Sequence, residues 1–530
     1  MEIVFVQLTI SEQIDKEREA LKHFLYEALD NTDKHHIRIQ VPPGVGKSYA
    51  MLEYIRDRPF NNYIIIVLDH QMVEGKDGIK EFLDHNIGST NWVHIKGKTQ
   101  YADIHEWDLI DSMPIIRREK MCERENGTEY YPGCSDCPHA SSKTCNYWRQ
   151  YQELYHKRVI VTTIESISRL PDNRFIFFDE SFDTKILKKP NRLLNQEMQQ
   201  YFIFTEPKVE KIMAHDYTFY NHVELRDDFE VTSVEKYFIK AFMDYTDMIQ
   251  ARTTEIEGKL LLFGRMRIEL PDYRKMIFNC ATTPAELMIN ITDTAFLNFM
   301  GEPWYFYNCK YFKSDVVKND VLRFTRNWTK QYSFDNIPII FKFFAQSFIT
   351  RNVLVITKKS FISPEYHLTG ETSKRKTKKY IDDFLPGADY VWFGLRGTNK
   401  FNKIYDIVIV YGRYGLTPID NRCLERIGID EDMITLMDRS AMLQAVHRFR
   451  PLLHPQVPMI VMSDKSLSFE TEAIPFRRWF DYQEHYDLDY KEIKSLTLLN
   501  KVLGHEKSNT KLARDYIKIM KFMDIVFYGI

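Results

Sequence analysis

The chain has 530 residues, 44% hydrophobic and 28% charged, with a formal net charge of −2. That length makes three or four domains, and that balance excludes a long disordered or low-complexity chain. It also excludes a bulk polycation, so any nucleic-acid contact must use a local groove.

No apolar run approaches the ~20 residues of a membrane helix. The first residues, MEIVFVQLTISEQ, have no basic stretch before their short apolar run and no cleavage-like site, so they do not read as a signal peptide. Aromatic residues make up 14% of the chain, and most are expected in the core. Of seven cysteines, Cys122, Cys134, Cys137 and Cys145 crowd together. In a reducing compartment such crowding favours metal or cluster ligation over disulfides.

In chain order, residues 11–30 read as a helix and RIQV (38–41) as a short buried strand. VPPGVGKSYAMLEYI (41–55) follows, a glycine-containing loop running into a helix. A phosphate-binding loop needs backbone N–H groups turned inward, then a Lys, then a hydroxyl for magnesium at a helix start. Gly44 and Gly46 supply the conformational freedom, Lys47 can reach β- and γ-phosphates, and Ser48 can ligate Mg²⁺. Pro43, Gly44, Val45, Gly46, Lys47, Ser48 and Tyr49 are the candidate ATP-binding residues. Val41 stands where the strict pattern has Gly.

NNYIIIVLDH, KRVIVTTIESI and RFIFFDES then read as buried parallel strands. The last ends in Asp179 and Glu180. An Asp there can hold magnesium while the next carboxylate activates the attacking water. LLNQEMQQYFIF and VEKYFIKAFMDYTDMIQARTTEI, within residues 185–270, read as an amphipathic helical module. KMIFNCATTP returns to strand, ending in Ala281 and Thr282. NVLVITKKS, ADYVWFGLRG, YDIVIVYGR, the helix RSAMLQAVHRFR and PMIVMSD form a second α/β set. Gln444, Arg448 and Arg450 on that segment can reach across a cleft to a γ-phosphate, or form a solvated basic face. Two such sets imply two RecA-like lobes, each a doubly wound parallel sheet.

The order phosphate loop, Asp-Glu, Ala-Thr, glycine-rich turn (within 393–413), Gln-Arg-Arg resembles the superfamily 2 helicases over residues 37–451. IKGKTQY (95–101) followed by four cysteines narrows the resemblance to the XPD–DinG iron–sulfur DNA helicases. Ala102 stands where that family usually has a Cys, and one residue rather than two separates the final arginines. The resemblance implies a [4Fe–4S] cluster on the four cysteines. Four thiolates also suit Zn²⁺, with His139 an alternative ligand. Cys280, Cys309 and Cys423 are isolated and read as packing residues.

The expected organisation divides the first lobe into 1–97, 151–184 and 271–330. It is interrupted by a four-cysteine insertion (98–150) and a helical, Arch-like insertion (185–270). A second lobe (331–480) and a helical tail (481–530) follow. The resemblance implies an ATP-dependent, Mg²⁺-dependent helicase moving 5′ to 3′ on single-stranded and forked DNA. It would work in the cytoplasm or another DNA-containing compartment, with replication, repair or defence proteins as possible partners and no membrane. His70, Gln71, Arg396 and Asn399 are candidate backbone contacts, and SKRKTKKY (373–380) reads first as a solvated helix face, with phosphate contact the alternative. Two other readings stay open: a nucleic-acid-stimulated ATPase that remodels complexes without unwinding, and a non-catalytic interaction subunit.

Overall fold

The computed structural model describes residues 9–462 apart from 97–145, 180–190, 280–303, 311–320, 364–378, most of 324–350 and breaks of one to five residues. The first α/β unit begins with helix α1 (Ile10–Asp30). Thr9 and Glu12 close its N-terminus as a capping box, each satisfying the other's backbone N–H. Its strands are β1 (His36–Gln40), β2 (Tyr63–Val67), β3 (Trp92–His94), β4 (Val159–Thr163), β5 (Arg174–Asp179), β11 (Tyr273–Asn279) and β12 (Trp304–Asn308). They form a wholly parallel sheet in the order β12–β1–β11–β5–β2–β4–β3. β1, β2, β4 and β5 are buried along their whole length, because side chains on both faces are covered. One face (Tyr63, Ile65, Phe175, Phe177, Ile277) packs with α1 and with α2 (Lys47–Asp57). The opposite face carries Ile64, Ile66, Ile176, Phe178 and Phe278, and the Phe178 and Phe278 rings stack at 4.4 Å.

The second unit is also wholly parallel. Its strands β13 (Val321–Arg323), β14 (Val353–Thr357), β15 (Asp389–Trp392), β16 (Ile407–Tyr411) and β17 (Met459–Met462) run in the order β13–β17–β16–β14–β15. Two parallel α/β sheets fit the expected pair of RecA-like lobes. β13 comes from a stretch expected to finish the first lobe, yet it pairs with β17 and belongs to the second.

The helical insertion expected at 185–270 is corrected. Strands β6 (Asn191–Leu194), β7 (Phe202–Ile212), β8 (His215–Leu225), β9 (Thr246–Thr253) and β10 (Leu260–Met266) build a five-stranded antiparallel sheet, ordered β6–β10–β9–β8–β7. Helix α3 (Val234–Asp244) is the one part of the long apolar reading that survives at length. The competing signal was alternation: in HDYTFYNHVEL, Tyr217, Phe219 and Val223 are buried while His215, Asp216, His222 and Glu224 are exposed, which is the period of a strand.

This sheet is bolted to the second lobe. Helix α4 (Pro418–Arg426) presents Arg422, whose Nε and Nη2 donate to Glu210 of β7 at 2.6 and 2.9 Å. Arg426 Nη1 donates to the same carboxylate at 2.9 Å and its Nε to Gln250 of β9 at 3.0 Å. Arg426 also bonds Asn221 and lies over the Phe219 ring, 4.4 Å from its centre. Tyr217, Phe219 and Phe263 of the insertion share one apolar cluster with the first sheet and with Leu424, Ile427 and Met433 of the second lobe. Among the described residues, no helix is long and apolar enough to cross a membrane.

Chiefly through its hydrogen bonds from Arg422, the Glu210 carboxyl is held down at about 2 against an ordinary 4.5. The carboxyl titrates lower folded than unfolded. Its contribution is therefore complete above about pH 4.5 and fades as pH falls toward 2. Glu210→Gln is expected to cost about 2 kcal/mol, since it weakens charge-assisted hydrogen bonds and leaves two arginines underpaired. Thermal unfolding followed by near-ultraviolet circular dichroism should show a melting temperature lower by a few degrees at neutral pH, with the difference shrinking in acid. An unchanged melting temperature at pH 7 would mean the clamp is not stabilising.

Candidate active site

The sheet order decides what meets. β11 lies between β1 and β5, so the loop after β1 and the carboxylate ending β5 emerge at the same edge of the sheet, one strand apart. At the carboxyl ends of parallel strands, ligands bind where such loops converge. Gly44 and Gly46 have φ of 97° and 104°, left-handed values that require glycine. Val41 is fully buried and lies outside that conformational region, so glycine is not needed there. Its carbonyl accepts a 3.0 Å hydrogen bond from Lys47 Nζ. Gly46 caps α2, whose first residues are Lys47 and Ser48. Ser48 Oγ donates to Asp179 Oδ1 at 2.7 Å. Val45 is fully buried under the loop, and Tyr49 is largely exposed, meeting Phe82 edge-on.

The second lobe closes over this loop. Helix α5 (Glu431–Val446) ends before the arginines: His447–Phe449 make one tighter turn, and Arg450 follows in a left-handed conformation with φ 57°. The expected continuous helix over Gln444–Arg450 is corrected accordingly. The early end has a consequence. A methyl group placed on Gly44 would lie 3.6 Å from Arg450 Cδ and Nη1 and 3.7 Å from Leu453 Cγ, so this segment rests on the phosphate loop. His447 is buried beneath it and pushed down to about 3, first by burial and then by the positive charges of Lys47, Arg450 and Arg448. It is neutral at working pH. Lys47, Arg448 and Arg450 thus lie close enough to His447 to act on it, while Asp179 meets Ser48. Gln444 is half-buried, and its Oε1 has no hydrogen-bond partner among the described residues.

Two contributors escape sequence reasoning. Arg18 of α1 donates from Nε to Val45 O at 2.8 Å and from Nη2 toward Gly44 O at 3.5 Å, bracing the loop from behind. Its neighbour Glu17, fully buried, accepts from Tyr307 Oη at 2.7 Å and from Lys310 N at 2.9 Å, which fixes α1 against β12. In the sequence these are two charges in an amphipathic helix, with no motif to mark them. The other contributor is Asn279, the last residue of β11. It precedes the expected Ala-Thr motif and donates from Nδ2 to Asp179 Oδ1 at 3.2 Å.

His70 lies at the same edge of the sheet but is engaged elsewhere. Its Nδ1 is 2.8 Å from His94 Nε2, and His94 faces Glu74, which pairs with Lys96 at 2.7 Å. Burial first, then the charge of His70, pushes His94 down to about 4. Cys423 is buried and Cys309 half-buried, as expected of packing residues. Pro43, Glu180, Cys280, Ala281, Thr282, Arg396, Asn399, residues 373–378, His139 and the four clustered cysteines (Cys122, Cys134, Cys137, Cys145) lie outside the described residues.

No family model matches the chain, and no curated protein does. Among solved structures, an XPD helicase is similar at 11% identity over 87% of this chain and 96% of that one, with a TM-score of 0.44. Xpd4 from S. tokodaii is similar at 11% identity over 86% and 95%, with a TM-score of 0.38. S. cerevisiae Dbp5, solved bound to Gle1 and IP6, is similar at 9% identity over 96% of each chain, with a TM-score of 0.34. These scores are too low to assign the chain to a family.

Arg18→Ala removes one strong donor to the loop backbone, a net effect of about 1 kcal/mol. Binding of a fluorescent nucleoside triphosphate should weaken roughly fivefold, while Lys47→Ala should weaken it far more. Equal affinity in Arg18→Ala and the parent would show that the loop holds its shape without the brace.

Proposed function

We propose that the chain is an ATP-dependent helicase acting on DNA. The observation that carries this is the contact of Arg450 and Leu453, from the second lobe, with Gly44 of the phosphate loop in the first. A site completed by two lobes is sensitive to their separation, so hydrolysis and lobe movement are coupled through it.

Lys47 and the loop N–H groups hold the β- and γ-phosphates, aided by the α2 N-terminus. Ser48 and Asp179 present hard oxygen donors side by side, a donor set that fits Mg²⁺. Bound there, Mg²⁺ supplies charge neutralisation on the phosphate oxygens. Glu180 takes a proton from the water that attacks the γ-phosphorus, the bond to the bridging oxygen breaks, and ADP leaves. Negative charge growing on the transferred group meets Arg450 and Arg448, with Gln444 completing the second-lobe side. Such arginines are worth about 10³-fold or more in rate. Single-stranded DNA is the track, entered from forked substrates, with movement 5′ to 3′ as the family resemblance implies.

Glu180→Gln should bind ATP as the parent does and turn over at least a hundredfold more slowly. The parent should displace strands from duplexes with a 5′ single-stranded tail. Hydrolysis without displacement on any tailed duplex would support the remodelling reading instead, and displacement only from 3′ tails would reverse the polarity.

The four cysteines carry the second expectation. Four thiolates between residues 122 and 145 suit a [4Fe–4S] cluster or Zn²⁺. Cys137→Ser should lose metal, measured per chain after anaerobic purification, and lose strand displacement while much of the basal ATPase survives. A metal-free variant that unwinds at the parent rate would remove the cysteines from the machine.

A further inference from the structure

Asn279 ends the strand between the phosphate-loop strand and the Asp179 strand, paired in register with Ile39 on one side and Asp179 on the other. It is 1% exposed. Its Nδ2 donates to Asp179 Oδ1, the same oxygen that accepts the Ser48 hydroxyl. An ionised carboxylate only accepts hydrogen bonds, so the amide must turn its NH₂ toward Asp179. The carbonyl end, Oδ1, is therefore directed elsewhere. It is buried and has no hydrogen-bond partner among the described residues. A buried amide carbonyl left without a donor is destabilising, and an apolar side chain of similar size would fill the strand end without that cost. Packing alone does not account for an asparagine here. What surrounds it does: the Ser48 hydroxyl and the Asp179 carboxylate are the hard oxygen pair assigned above to Mg²⁺. Mg²⁺ dehydrates reluctantly and keeps several waters, whose O–H groups need acceptors.

We propose that Asn279 is a positioning residue for the magnesium of the nucleotide site. Its Nδ2 fixes the Asp179 carboxylate beside Ser48, and its Oδ1 accepts a hydrogen bond from a water in the metal's shell. This rests on the ATPase reading above, and it goes beyond that reading by giving a function to a residue outside every motif that pointed to it.

The test compares the parent with Asn279→Leu, measuring nucleotide and metal separately. Affinity for a fluorescent non-hydrolysable ATP analogue is measured in EDTA. Manganese binding to the protein–analogue complex is then titrated by electron paramagnetic resonance, with Mn²⁺ as the spectroscopic stand-in. The metal midpoint of Asn279→Leu should rise about tenfold, with analogue affinity in EDTA within twofold of the parent. The Mg²⁺ concentration for half-maximal ATPase should rise in parallel. Asn279→Val, whose β-branched side chain suits a strand and carries no hydrogen-bonding group, should show the same metal shift should the leucine variant fold poorly. A metal midpoint equal to the parent's in a folded variant would overturn the role of Asn279 and leave the ATP site standing. A parent chain that binds no analogue would overturn both together.

Discussion

The hydrogen bond from Ser48 to Asp179 joins two residues 131 positions apart, and the arrangement of the first lobe serves to make it. β11, lying between β1 and β5 in the parallel sheet, sets the spacing across which the two residues meet. Parallel strands require long crossovers, and the one from β5 to β11 carries the inserted antiparallel sheet. The sheet is held rigid because both faces are buried, by α1 and α2 on one side and by the apolar cluster reaching the inserted sheet on the other. A rigid sheet edge is what lets a flexible glycine loop and a carboxylate keep fixed relative positions.

The inserted antiparallel sheet gives the molecule a second connection between its lobes. Arg422 and Arg426 converge on Glu210, and an apolar seam runs beneath them. Movement of one lobe against the other must therefore pivot about this seam or shear along it, rather than separate the lobes freely. β5 ends at Asp179, and the next described strand, β6, opens the inserted sheet that carries Glu210.

Much of the fold was legible in the sequence because buried parallel strands announce themselves. YIIIV, VIVTT, RFIFFD, VLVIT and IVIVY are mainly apolar runs, and each is a strand within the stretch expected for one, while the first strand, HIRIQ (36–40), begins two residues before the expected RIQV (38–41). The glycine loop was legible for a different reason, since Gly44 and Gly46 take left-handed φ values that favour glycine. The inserted sheet was misread because its strands are half exposed, so long apolar residues at mixed spacing mimicked a helical stripe. Arg18 and Asn279 were invisible because their roles depend on tertiary neighbours: a carbonyl in another element and a carboxylate on an adjacent strand. Arg450 was found by type, but its reach depends on a helix that stops at Val446 and a left-handed backbone that no local propensity favours.

As proposed, one nucleotide site is shared by two lobes and responds to DNA. Steady-state ATP hydrolysis by the full chain, titrated with single-stranded DNA, tests it most directly when Arg450→Ala is run beside the parent. The account predicts a saturable rise in the parent's rate and a loss of about 10³-fold in Arg450→Ala, with nucleotide affinity nearly kept. Hydrolysis by Arg450→Ala at the parent rate, with the same response to DNA, would contradict it.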